Sequence, residues 1–367
     1  MKSHRLHIAL LVILFSSPLG AKTTATPVDI DRFLAQIDTL RTQANIPGLS
    51  IAVVKDQQLL LAAGLGYANI EENILAAADT PYDVASVSKT ISGVAAMQLV
   101  DANKIDLDRP LVEYSKWPEF CKAFSQQPSI FAKDLVCEPT THTLRHLLTH
   151  TATKEPGTTF SYNPVVFSWA SRPIMAVTEP SFSELVAQNV LQPAQMHQSA
   201  RKHRQLALPE AIQNRLSIYY SINDQQQAVP ATPGSPQGDG AAGGVVSTVI
   251  DLAKFDIALD RNELISANAR KLMLSPTPLK NGELAPYGIG WFLQDYQGHQ
   301  LAWHSGWWEN RSSALYLKVL DQDISLIILA NSEGVWWHNP LDKAEVERSK
   351  FAQTFFAAFL SSPTASQ

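Results

Sequence analysis

The stretch "VASVSKT", residues 84–90, places Lys89 one helical turn after Ser86, at the edge of a long apolar run. A lysine drawn into an apolar helix is costly unless it is paired or put to use. Residues three apart share a helix face, so Ser86 Oγ and Lys89 Nζ can meet. Desolvation lowers an amine's pKa, and a neutral Lys89 can take the serine's proton and make Ser86 a nucleophile. The start of a helix also favours developing negative charge. The plainer alternative is an N-capping serine and a lysine whose ammonium reaches the surface. Ser-x-x-Lys alone does not decide between the two. A second candidate constellation is His142, His146 and His150, spaced to share one helix face and able to ligate a metal. No carboxylate accompanies them as in a zinc-protease helix, so neither a metal nor a cofactor is expected.

The elements that must position Ser86 can be read around it. "DIDRFLAQIDTLRTQANIPG" has helical apolar spacing that ends at Pro47-Gly48. "LSIAVVK" and "LLLAAGLGYA" follow, joined by "DQQ", as an antiparallel hairpin. Near the C-terminus, "PYGIGWFLQDY", "HQLAWHSG", "SALYLKVL" and "ISLIILAN" read as strands. "AEVERSKFAQTFFAAFL" reads as a last helix, with Val346, Phe351, Phe355 and Phe359 on one face. The middle is mainly helices and loops. "QQQAVPATPGSPQGDGAAGG" reads as an exposed loop. The fold class is therefore α/β (α+β): an antiparallel sheet flanked by N- and C-terminal helices, with an inserted mainly helical lobe. The sheet lobe is placed at about 22–80 and 261–367, and the helical lobe at about 81–260, of one domain.

Composition sets the context. The 367 residues are 45% hydrophobic and 17% charged, with a formal charge of -5. This is a globular balance with no basic cluster, so no nucleic-acid partner is expected. "MKSHRLHIALLVILFSSPLGAKT" has the layout of a secretory signal, placed at residues 1–21, which predicts a periplasmic or secreted protein. Its apolar stretch, Ile8 to Phe15, is far short of the ~20 residues a spanning helix needs, so no membrane span is expected after its removal. The two cysteines, Cys121 and Cys137, then read as one disulfide.

"YDVASVSKT" resembles the nucleophile segment of the serine β-lactamase-like family: class C β-lactamases, penicillin-binding-protein-like hydrolases, and related esterases and D-amino-acid peptidases. "TLRHLLTHTA", "PGTTFSY", "AAGGVVSTVIDLAKF", "YGIGWF" and "WHSG" followed by "ALYLKVLDQDISLIILAN" resemble further landmarks of that family in the same order. The resemblance covers nearly the whole chain after the signal and implies a β-lactamase/transpeptidase-like fold. It also implies that Tyr162, in "FSYNPVVF", is the second proton-handling group. The family's Tyr-x-Asn asparagine is missing, because Pro164 stands there. Asn163 with Pro164 reads instead as a helix start.

The third motif is His304-Ser305-Gly306 rather than the Lys-Thr-Gly usual in β-lactamases. The resemblance implies that His304 faces the site and binds a polar or acidic group. Gly306 would let substrate backbone approach. The backbone N–H groups of Ser86 and Trp307 would form the oxyanion hole. Loss of the lysine removes a fixed positive charge for a substrate carboxylate.

Two departures concern the cleft. Only "ATKE" separates Thr151 from Pro156, a shortened wall, while the Cys121–Cys137 loop is an addition. Six of the eight tryptophans lie between 291 and 337, and the pairs 307–308 and 336–337 are placed to line an apolar or aromatic cleft. Glu309 and Arg311 read as rim charges. The expectation is an exported serine hydrolase that forms a Ser86 acyl-enzyme on a small-molecule or peptide ester or amide. The first choice is an esterase or D-amino-acid-type peptidase. The alternative is a β-lactamase or D,D-carboxypeptidase. A non-catalytic binding protein on the same fold is the alternative of another class. Oligomeric state is open.

Overall fold

The computed structural model describes residues 28–138, 141–232, 234 and 237–360. The signal segment expected at 1–21 lies outside them. Helix α1 (Ile30–Gln43) starts at Asp29, whose carboxylate accepts from Arg32 N. It leads into strands β1 (Gly48–Lys55) and β2 (Gln58–Asn69). Asp56 and Gln57 both take positive φ, 50° and 57°, so a two-residue turn closes this hairpin with a twist that suits its strands. A two-residue strand, β3 (Ile74–Leu75), sits on the edge of β2. The C-terminal strands are β4 (Phe292–Tyr296), β5 (His299–Trp308), β6 (Ser312–Val319) and β7 (Ile324–Ala330). Together they form one seven-stranded sheet, in the order β4-β5-β6-β7-β1-β2-β3, with every neighbouring pair antiparallel.

Strand β7, "ISLIILA", is buried throughout and apolar but for Ser325, because both faces of the sheet are covered. Ile327 and Leu329 face a core shared with helix α2 (Ser88–Asp101) and a later helix, Val249–Asp260. Leu326 and Ile328 face a second core, closed by α1 and the C-terminal helix Lys350–Phe359. The sequence suggests a helix running from residue 344. The helix instead starts at Lys350, capped by Ser349, and Val346–Arg348 forms a separate 3₁₀ turn. Between β3 and β4 the chain forms mostly short helices, with Tyr82–Asp83, Ala200–Arg201 and Val245–Ser247 pairing as a small sheet. The Cys121–Cys137 disulfide is formed, with Cα atoms 5.5 Å apart.

The stretch expected to be a plain exposed loop is more structured. Ala228–Pro230 pairs with Tyr220–Ile222, and buried Arg201 donates to the Gly240 carbonyl at 2.8 Å. A backbone acceptor fixed by a buried guanidinium gives residues 237–243 a defined path against the helical lobe.

Candidate active site

Ser86 lies in a 3₁₀ turn, Ala85–Val87, that feeds straight into α2. Ala85 has φ of 48°, a left-handed conformation that costs a non-glycine residue about 1–2 kcal/mol. The surroundings hold it there: Ala85 N donates to Asp83 Oδ1 at 2.9 Å, and Trp308 Nε1 donates to the same oxygen at 3.1 Å. Asp83 Oδ2 is paired with Lys202 at 3.0 Å. One carboxylate thus ties the serine turn to strand β5 and to the helical lobe.

Lys89 is fully buried, and its Nζ is 2.7 Å from Ser86 Oγ and 3.1 Å from the Ala242 carbonyl oxygen. Burial pulls its pKa well below the usual lysine value, and no carboxylate opposes that shift. A neutral amine has two hydrogens and one lone pair, so Lys89 can donate to Ala242 while it accepts from Ser86 Oγ–H. The second partner of Lys89 is therefore a backbone carbonyl, not the family's asparagine.

Tyr162 donates its hydroxyl to Ser86 Oγ at 3.0 Å. Burial raises its pKa above the usual phenol value, so it is a phenol. Asn163 caps the helix Pro164–Ser168, with Oδ1 accepting from Val166 N at 3.0 Å. Its Nδ2 donates to the Phe131 carbonyl at 2.7 Å, and its N–H donates to His150 Nδ1 at 3.0 Å. The cap thus docks Tyr162 onto His150, whose tilted ring has its centroid 4.2 Å away, and onto the disulfide-closed loop that carries Phe131.

These groups open onto a cavity of about 530 Å³ whose lining includes Ser86, Phe131, Tyr162, Ser305 and Trp307. Trp169, Trp308 and Trp336 add aromatic wall, and Trp307 and Trp336 stack at 4.3 Å. Trp337 does not reach it and packs on Trp303 instead. The stretch at 237–243 forms another wall. Two features invisible in the sequence are thus part of the site: the Ala242 carbonyl and the wall leading to it. The turn and glycine composition of that stretch signalled a loop, not its location.

The third motif differs from expectation in two respects. His304 does not line the cavity. Its ring is buried, with Nδ1 donating to the Ser305 carbonyl at 2.7 Å and Nε2 accepting from Tyr287 at 2.8 Å. Burial holds it well below the usual histidine pKa, so it is neutral and has no free donor for an acidic group. Gly306 is required by the protein's own backbone: a Cβ there would lie 2.3 Å from the Val84 carbonyl oxygen. Its missing side chain lets β5 lie against the serine turn and brings Ser305 and Trp307 beside Ser86.

The three spaced histidines serve separate purposes. His142 donates from Nε2 to the Ala152 carbonyl, His146 completes a capping box with Thr143, and His150 supports Tyr162. Among the described residues no group of His, Cys, Asp and Glu is arranged to hold a metal.

A profile of the Beta-lactamase family matches residues 30–346, spanning most of the chain and every group above. The chain belongs to the Beta-lactamase family. Curated relatives are distant. Protein flp of Staphylococcus aureus (strain MW2) is 24% identical over 324 residues, covering 81% of this chain and 62% of its own. Penicillin-binding protein 4* of Bacillus subtilis (strain 168) is 28% identical over 190 residues, 49% of this chain and 41% of its own. The chain thus spans about three fifths or less of the length of these relatives. Among solved structures, the octameric penicillin-binding protein homologue from Pyrococcus abyssi superposes with a TM-score of 0.71 at 20% identity, covering 90% of this chain and 77% of that one. D-amino acid amidase from Ochrobactrum anthropi SV3 superposes with a TM-score of 0.68 at 18% identity, covering 89% and 99%. At these identities the superpositions establish the shared β-lactamase-like architecture.

Proposed function

We propose that this Beta-lactamase family member is a serine hydrolase that opens an ester or amide through an acyl-enzyme on Ser86. One observation carries the reading: Ser86 Oγ lies 2.7 Å from a buried lysine amine and 3.0 Å from a phenol, facing a cavity of substrate size. Neutral Lys89 takes the proton of Ser86 as Oγ bonds to the substrate carbonyl carbon. The carbonyl oxygen becomes an oxyanion held by the backbone N–H groups of Ser86 and Trp307. Tyr162, a phenol, gives its proton to the leaving oxygen or nitrogen as that bond breaks, and recovers one from the lysine ammonium. Water then attacks the acyl carbonyl, with Lys89 again the base, and the acid product leaves.

Several features favour an esterase or D-amino-acid-type peptidase. The third motif offers a neutral, occupied histidine where β-lactamases keep a lysine, and the cavity walls are rich in tryptophan. The likeness to D-amino acid amidase supports that same reading, while the likeness to penicillin-binding protein 4* supports the second reading, a β-lactamase or D,D-carboxypeptidase. Export is part of the proposal, supported by the disulfide and the signal-like N-terminus. No helix among the described residues is long and apolar enough to cross a membrane.

Hydrolysis of p-nitrophenyl esters tests this reading, with Ser86→Ala as control. Turnover that disappears in Ser86→Ala supports it; equal turnover in both proteins, or none in either, contradicts it.

A further inference from the structure

Arg311 follows the tight turn after β5 and lines the Ser86 cavity half-buried. Arg201, Lys202 and Arg348 each sit on a carboxylate. Arg311 does not: among the described residues no carboxylate lies within ion-pair distance. Glu309, on the same rim, is exposed and not joined to it.

The guanidinium is nonetheless held in place. One side lies over the Trp308 ring, 5.3 Å from its centroid, and that ring is fixed through Nε1 to Asp83. The other side packs on the backbone at Gly234, where a Cβ would come within 2.1 Å of Nη1. The turn itself is pinned. Arg311 N donates to the Trp308 carbonyl at 3.1 Å, and Asn310, at φ 54°, donates its N–H to Glu333 Oε2 at 3.1 Å. A planar fork of donors, oriented by stacking and with no carboxylate partner among the described residues, suits a carboxylate of a ligand. Beside it, the Trp307–Trp336 stack and Trp169 offer apolar surface.

We propose that Arg311 is an anion-recognition residue and that the substrates carry a carboxylate together with an aromatic group, the carboxylate seated on Arg311 and the ring among the tryptophans. This rests on reading the cavity as the substrate site. It assigns the charge of specificity to Arg311, a position outside the third motif, while His304 stays neutral behind the wall. Glu309 contributes the opposite sign at the open rim, where solvent screens it.

The test measures binding without turnover, so it is separate from the failure of the hydrolase reading. Full-length Ser86→Ala protein is titrated with hippurate and with hippuramide, an aromatic acid and its neutral amide, and followed by tryptophan fluorescence. We expect hippurate to bind about tenfold tighter at low salt, as one charge-assisted pair near a surface supplies. The preference should shrink with added salt, fall to about unity in Arg311→Met, and survive in part in Arg311→Lys. Equal affinities for the two ligands, binding of neither, or a preference that persists in Arg311→Met would overturn the assignment. Failure of the hydrolase reading registers elsewhere, as absence of an acyl adduct on Ser86 in the unmutated protein.

Discussion

Replacing Lys89 by methionine separates its role as a base from a packing role, because the side-chain volume is nearly kept while the amine is removed. Among the described residues, Ser86 Oγ would then retain only the Tyr162 hydroxyl at 3.0 Å. A phenol with a raised pKa can donate to Oγ but is a poor acceptor of its proton. Loss of a positioned general base lowers kcat/KM by about 10²–10⁴, or ~3–5 kcal/mol in the barrier. The pH profile gives the sign. Lys89 acts only when neutral, and burial pulls its pKa below the usual value of 10.5, so kcat/KM of the wild type rises about tenfold per pH unit to a plateau. Lys89→Met has no such limb, and Tyr162→Phe, though slower, keeps it.

Stability supplies an independent readout. Between the lowered folded pKa and 10.5, the unfolded chain holds a proton on Lys89 and the folded chain does not. Unfolding therefore takes up one proton, and folded stability rises with pH across that window. Relative to Lys89→Met, wild type should gain up to ~1.4 kcal/mol per pH unit, measured as urea unfolding free energies over a pH series. Parallel stability–pH curves for the two proteins, or an unchanged kinetic limb in Lys89→Met, would refute the claim that Lys89 is neutral in the fold.

Three further outcomes follow from the geometry. Cys121→Ser should cost about 3 kcal/mol, the value for a loop of this size, and weaken ester turnover because Phe131 hangs on that loop; unchanged melting and activity would dissociate the loop from the cavity. Gly306→Ala should destabilise by about 1–3 kcal/mol and depress turnover together, since β5 must retreat from the Val84 carbonyl; melting and kinetics on one preparation check this. Lys318→Met should cost about 3–5 kcal/mol by leaving Asp256 buried without its cation, and Lys318→Met with Asp256→Leu should recover much of it in denaturant titrations.

The parts legible in the sequence were those fixed by local geometry. Ser86 and Lys89 meet because three residues of turn and helix bring them together. Asn163–Pro164 starts a helix because the cap and its acceptor are three residues apart. The antiparallel sheet was readable from short turns between apolar strands. The Ala242 carbonyl was not, since it lies 153 residues from Lys89 and is a backbone atom that no side-chain pattern marks. His304 was misplaced for a similar reason. Its sequence position fits the third motif, but Tyr287, 17 residues away, takes its ring nitrogen and keeps it out of the cavity. For Gly306, the neighbour that demands a glycine is the Val84 carbonyl of a distant segment, which no local pattern in the sequence marks.

The central claim is an activated nucleophile at Ser86. The most direct measurement is the intact mass of the protein after incubation with a fluorophosphonate probe and, separately, with a labelled penicillin, followed by peptide mapping. The account predicts one stoichiometric fluorophosphonate adduct on Ser86, lost in Ser86→Ala and strongly slowed in Lys89→Met. Labelling by penicillin as well would direct the substrate toward β-lactams or cell-wall peptides. A folded sample that carries no adduct on Ser86 from either reagent would contradict the account and leave a binding protein built on a hydrolase fold.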